Sequence, residues 1–96
     1  MYGIELTDDF ECWLNGLRDI QAKGFIVKRL TVMANGSLGE TKSLGGGLYE
    51  AKIRHGQGYR LYFCNRNNKI IVLLCGGTKS TQTQDIKNAR KMAGEI

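Results

Sequence analysis

The chain has 96 residues, 42% of them hydrophobic and 24% charged, enough apolar side chain to close one core and too little chain to close two, which excludes multidomain and disordered readings. Its 14 Lys and Arg against 9 Asp and Glu leave a formal charge of +5, a balance that suits a polyanionic partner such as nucleic acid, or a partner protein with an acidic tail. The longest apolar run, Ile70 to Cys75, is far too short to cross a bilayer, and the opening Met1-Tyr2-Gly3-Ile4-Glu5 lacks the basic and apolar regions of a signal peptide, so a cytoplasmic chain without membrane contact is expected.

The first periodic segment runs from Thr7 or Asp8 to about Gln21, where Phe10, Trp13, Leu14, Leu17 and Ile20 recur every three or four residues as one helical stripe. Asp8 with Glu11 three residues on reads as a capping box, and acids in the first turn suit the helix dipole. Ile26, Val27, Leu30, Met33 and Ala34, between Gly24 and the Asn35-Gly36 stop, supply the stripe of a second helix. From Gly36 the pattern changes to strands punctuated by glycine. A strand around Thr41 to Leu44 is followed by a turn at Gly45-Gly46-Gly47, then by alternation over residues 48–54, and Gly56-Gln57-Gly58 turns the chain into Tyr59 to Cys64. Asn65 to Asn68 form a polar turn, Ile70 to Cys75 read as a central strand, and Gly76-Gly77 end it. Ser80 to about Ala93 is a polar helix, capped by Ser80 or Thr81, whose sparse apolar positions Ile86, Ala89, Met92 and Ala93 predict weak docking. The expected fold is a single α+β domain over residues 1–96: an N-terminal helical hairpin packed on one face of a four-stranded antiparallel sheet, with a short C-terminal helix.

The charge is unevenly spread, because residues 42–79 carry Lys42, Lys52, Arg54, Arg60, Arg66, Lys69 and Lys79 against Glu50 alone. Alternation turns Tyr49, Ala51, Ile53, Tyr59, Leu61 and Phe63 toward the helices and leaves Lys52, Arg54, Arg60 and Tyr62 together on the opposite, open face. Lys79 joins this cluster from the end of the last strand, and Lys42 and Arg66 are counted as flanking substrate contacts. A plain solvated face is the bland alternative, normal for an antiparallel sheet. If the face works on RNA, the natural reaction is attack of a ribose 2′-hydroxyl on its neighbouring phosphate, which needs a base, cations and an acid, and no metal or cofactor. Arg54 and Arg60 suit the phosphorane charge, since guanidinium matches phosphate oxygens in pairs. Crowding by these arginines makes Lys52 or Lys79 a candidate base, and Tyr62 could stack a base of the substrate. His55, the only histidine, is the acid–base candidate by residue type, although its place beside a glycine turn equally suits a simply exposed side chain.

Three cysteines, Cys12, Cys64 and Cys75, are an odd number with no CxxC pair; they support neither a disulfide framework nor a zinc site and read as small core residues. GxSxG, P-loop, HExxH and Rossmann patterns are absent, as are paired carboxylates in the basic half.

An ordered series of motifs carries a family resemblance: Phe10-x-x-Trp13-Leu14-x-x-Leu17-Arg18-Asp19, Asn35-Gly36-x-x-Gly39-Glu40-x-Lys42-x-Leu44, Gly47-Leu48-Tyr49-Glu50-x-Lys52-Ile53, Gly58-Tyr59-Arg60-x-Tyr62-Phe63 and Leu74-x-Gly76-Gly77-x-Lys79-Ser80-x-Gln82-x-x-Asp85-Ile86. The series spans nearly the whole chain and resembles the phage-derived Gp49-like, HigB-type branch of the RelE/ParE toxin superfamily. The resemblance implies a toxin of a type II toxin–antitoxin module: an endoribonuclease that cuts mRNA on the ribosome and is neutralised by a small antitoxin, often of helix-turn-helix type. It places phosphate-binding roles on Arg60, on Lys52 and Arg54 in the preceding strand, and on Lys79. RelE-type enzymes also use a tyrosine near the C-terminus and some HigB proteins a histidine. Here no tyrosine follows Tyr62 and no histidine follows His55, so the resemblance transfers the phosphate contacts and not the acid–base pair. Within the same superfamily fold stand a ParE-like gyrase inhibitor without nuclease activity and a non-toxic basic RNA-binding module.

Overall fold

A computed structural model describes all of residues 1–96. Its sheet has five strands, β1 (Gly3–Leu6), β2 (Thr41–Gly45), β3 (Leu48–Ile53), β4 (Tyr59–Arg66) and β5 (Ile70–Thr78), in the order β1-β5-β4-β3-β2. β2 through β5 form antiparallel neighbours, whereas β1 pairs with β5 in parallel, Gly3 opposite Ile70 and Leu6 opposite Leu73. The expected four-stranded antiparallel sheet is therefore corrected to a five-stranded mixed one. A strand of four residues with only Ile4 and Leu6 packed on the core is too short to show a period of two, and its parallel pairing depends on the distant β5.

The helical hairpin is present with shifted boundaries: α1 spans Asp8–Asn15 and α2 spans Ile20–Ala34. Thr7, not an Asp8–Glu11 box, caps α1, its hydroxyl accepting from the Phe10 amide at 3.1 Å, and Asp19 caps α2 by accepting from the Ala22 amide at 3.1 Å. The chain thus breaks at residues 16–19 instead of at Gly24, which lies inside α2. Ile20, spaced as if on the first stripe, begins the second helix and is 81% exposed.

Hydrophobic packing forms on both faces of the sheet. Under α1 and α2, Phe10, Leu14, Ala22, Ile26 and Met33 meet Ala51, Ile53, Tyr59, Leu61, Phe63, Ile71 and Leu73. Under α3 (Gln82–Glu95), Ala89 meets Leu48, Tyr62, Val72 and Leu74, with Ile86 and Met92 packed beside them. The expectation of helices on one face and an open second face is corrected by this packing: sparse as they are, the apolar positions of α3 face inward and close a second small core. Gly76 and Gly77 do not end β5. A Cβ at Gly76 would run into the Trp13 ring and one at Gly77 into the Asp85 carboxylate and Thr81, so the pair lets α1 and the start of α3 approach the strand from opposite sides. Cys12 is exposed and Cys64 and Cys75 are half-buried rather than core residues; burial pushes the Cys75 thiol up to about 12 and the Cys64 thiol up as well. No helix is long and apolar enough to cross a membrane.

Candidate nucleic-acid interface

The β3–β4 hairpin sets Lys52 opposite Arg60, and β4 sets Arg60 opposite Gly77 at the end of β5. The intervening turn closes when the Gly58 amide donates to the His55 carbonyl at 3.0 Å, with Gly56 and Gly58 at positive φ. The Gly58 carbonyl in turn accepts from the Lys79 amide at 3.0 Å and from Arg60 Nη1 at 3.4 Å. One carbonyl therefore ties the hairpin turn, β4 and the residue after β5 into a single corner.

That corner opens as a cleft of about 350 Å³ whose wall consists of Lys52, Arg54, His55, Gly56, Gln57, Gly58, Arg60 and Lys79. The structure thus brings the five predicted catalytic residues, from three segments, into one lining that contains no carboxylate and no apolar side chain. Cationic groups so grouped attract a polyanion, and the concave shape concentrates the field.

Each cation is held differently. Arg60, expected on an open face, is only 5% exposed. Its Nε lies 3.8 Å from Oε2 of the equally buried Glu50 and has no hydrogen-bond partner, while Glu50 accepts from Gln82 Nε2 at 2.8 Å. Arg54 stands at the exposed rim and donates from Nε and Nη2 to both oxygens of Glu40 at 2.8 and 2.7 Å. This pair holds the Glu40 carboxyl below its usual range and Arg54 above its own. His55 Nε2 lies 3.2 Å from Oδ2 of Asp19, and the ring centroid is 5.0 Å from that of Phe25. The Ala22 amide, and then His55, keep the Asp19 carboxyl below its usual value. The Lys52 carbonyl accepts from Arg29 Nη2 at 3.0 Å, and Lys79 is exposed in a 3₁₀ turn, Lys79–Thr81.

Two predicted contacts are corrected. Tyr62 is fully buried beneath α3, its hydroxyl without a hydrogen-bond partner, and burial pushes its phenol upward; the ring has no face free to stack on a base. Arg66 sits at the far end of β4 opposite Ile70, outside the cleft. Lys42 lines a neighbouring hollow of about 240 Å³ together with Glu40, Glu50, Lys52 and Arg60, and so flanks the site. Sequence reasoning missed Glu50, Asp19, Glu40 and Gln82 as the residues that orient these cations. The one available signal was Glu50 itself, the only acid of the basic segment, two residues from Lys52 and so on its face of β3.

A helical hairpin on one face of this sheet and a C-terminal helix on the other make an α+β fold like that of RelE. The chain matches a mutant of the Escherichia coli RelE toxin in the free state with a TM-score of 0.75 at 19% identity, covering 94% of this chain and 95% of that one. It matches a RelBE toxin–antitoxin complex of Mycobacterium tuberculosis with a TM-score of 0.65 at 20% identity, over 81% of this chain and 98% of that one. In sequence, an uncharacterized protein of Haemophilus influenzae is 43% identical over 93 residues, 97% of this chain and 94% of that protein. The family described as phage derived protein Gp49-like matches residues 13–93. The chain belongs to this Gp49-like family.

Proposed function

We propose that the chain is the toxin of a type II toxin–antitoxin pair, of HigB type, and that it cuts mRNA on the ribosome in the cytoplasm. The observation that carries this reading is the cleft in which Lys52, Arg54, His55, Arg60 and Lys79 converge without a carboxylate in the wall. In the proposed reaction the 2′-oxygen bonds to phosphorus as the 5′-oxygen departs, leaving a 2′,3′-cyclic phosphate and a 5′-hydroxyl. Arg60 from within and Arg54 from the rim stabilise the pentavalent phosphorane. Lys52 or Lys79 accepts the 2′-hydroxyl proton, and His55, oriented by Asp19, protonates the leaving oxygen. The cations are side chains, so this scheme uses no metal.

The partner in this reading is a small antitoxin, which the likeness to RelBE toxin–antitoxin complexes supports. In HigB-type pairs it is often a helix-turn-helix protein, and acidic residues on it would meet the basic corner. The test is a translation reaction with purified protein and mapping of mRNA ends. Cuts that need ribosomes and disappear in Lys79→Ala, an exposed position whose loss leaves folding intact, are expected. Intact mRNA, or supercoiling inhibition with translation untouched as for a gyrase poison, overturns the reading.

A further inference from the structure

We propose that the groove beside the cationic cleft is a nucleobase subsite, in which Phe25 stacks on an unpaired base while Lys28 and Arg29 hold the phosphates that flank it. The inference rests on the reading of the cleft as an RNA site and adds where the neighbouring nucleotide goes. The groove, about 310 Å³, lies between α2 and the end of β3, and it shares Arg54 and His55 with the cleft, so the two adjoin.

Its makeup differs from that of the cleft. Phe25, Val32 and Ile53 contribute hydrophobic side chains, whereas the cleft has none. Phe25 is 50% exposed, although α2 buries Ile26 beside it, and its ring packs against His55 with the planes at 50°. Phe25, Lys28, Arg29 and Val32 fall at i, i+3, i+4 and i+7, so a single face of α2 sets one aromatic ring next to two cationic groups. An aromatic platform interleaved with cations is how single strands are gripped without regard to sequence.

Arg29 supplies the second observation. Its Nη2 donates to the Lys52 carbonyl at 3.0 Å, but its Nη1 is buried and has no partner. That nitrogen is turned inward against Gly39, where an added Cβ would come within 3.2 Å of it, so the guanidinium is held fixed in the groove wall and lends the groove a preset positive charge. The groove wall contains no carboxylate, and the nearest acids, Glu40 and Asp19, are already engaged with Arg54 and His55. The exposed phenylalanine in this setting takes the stacking role expected of Tyr62.

The test is binding of a fluorescein-labelled 2′-O-methyl RNA hexamer, which lacks the attacking hydroxyl, to the full chain and its variants by anisotropy. Phe25→Ala is expected to weaken binding about 5-fold or more, and Phe25→Trp to restore it. An abasic oligomer of equal length should bind more weakly and be indifferent to Phe25→Ala, whereas Lys28→Ala should weaken both. Unchanged hexamer affinity in Phe25→Ala alongside a loss in Lys79→Ala overturns the subsite and leaves the cleft reading standing. No hexamer binding by the wild-type chain overturns the subsite whatever the translation reaction shows. Phe25-dependent binding of a glutamate-rich peptide, with RNA binding insensitive to Phe25, reassigns the groove to a protein partner and overturns it too.

Discussion

The two faces of the sheet do different work. Under α1 and α2 the buried residues are hydrophobic throughout, twelve side chains from five elements. Under α3 only five buried hydrophobics accompany the buried Glu50 and Arg60, and the Tyr62 hydroxyl is enclosed without a partner. The helix over this face is held by polar ties as well, Gln82 to Glu50 at 2.8 Å and Arg90 to the Leu44 carbonyl at 2.6 Å. Apolar burial stabilises, whereas a buried ion pair at 3.8 Å recovers little of its desolvation cost. The first face holds the fold together; the second holds Arg60 at the back of a cleft.

The contrast is open to attack by substitution. The largest effect is expected from Phe63→Ala on the first face, about 3–5 kcal/mol in urea unfolding. On the second face Glu50→Ala, which leaves Arg60 buried and unpaired, should cost about 3 kcal/mol, while the double change Glu50→Met with Arg60→Met should recover most of that loss and abolish mRNA cutting. Full recovery of stability with cutting retained would show that the buried pair serves packing alone. Arg54→Ala breaks an exposed, solvent-screened pair and should leave stability nearly unchanged, yet slow mRNA cutting by about 100-fold if this guanidinium faces the phosphorane; a thermal melt and a cleavage time course measure the two.

Smaller still, Tyr62→Phe removes a buried hydroxyl that makes no hydrogen bond and should leave stability unchanged or raise it by up to about 1 kcal/mol. A clear destabilisation would mean that the hydroxyl is satisfied after all. The smallest effect is the pH dependence. Asp19 and Glu40 have folded-state values below their usual 3.8 and 4.5, so the stability they contribute is whole above those values and is lost as the pH falls through the lower, folded-state ones. Asp19→Asn keeps a capping side chain and removes the charge, so its melting temperature should fall less steeply with acid than that of the wild-type chain.

Much of this architecture was readable from local pattern. The hairpin strands β3 and β4 carry strict alternation, so Ala51, Ile53, Leu61 and Phe63 were assigned to the right face, and with them Lys52 and Arg60 to the other. The convergence of Lys52, Arg54, His55, Arg60 and Lys79 followed from that alternation and from the turn glycines. Exposure was not readable. Tyr62 shares its face with Arg60, and whether that face meets water depends on where α3 docks, which no local period encodes. Glycine misled twice: Gly24 suggested a helix end and Gly76-Gly77 a strand end, because a missing side chain looks the same whether it permits a turn or admits a neighbouring ring.

Periodicity and charge were enough to define the element types from α1 onward and the single basic corner, because both arise from residues close in the chain, where steric and electrostatic rules act directly. The parallel partner of β5, the covering of Tyr62 and Arg60 by α3, and the pairing of Arg60, Arg54 and His55 with Glu50, Glu40 and Asp19 came from contacts between residues 10 to 67 positions apart. Such contacts are selected by the collective packing of the whole chain, which a window of neighbouring residues does not contain.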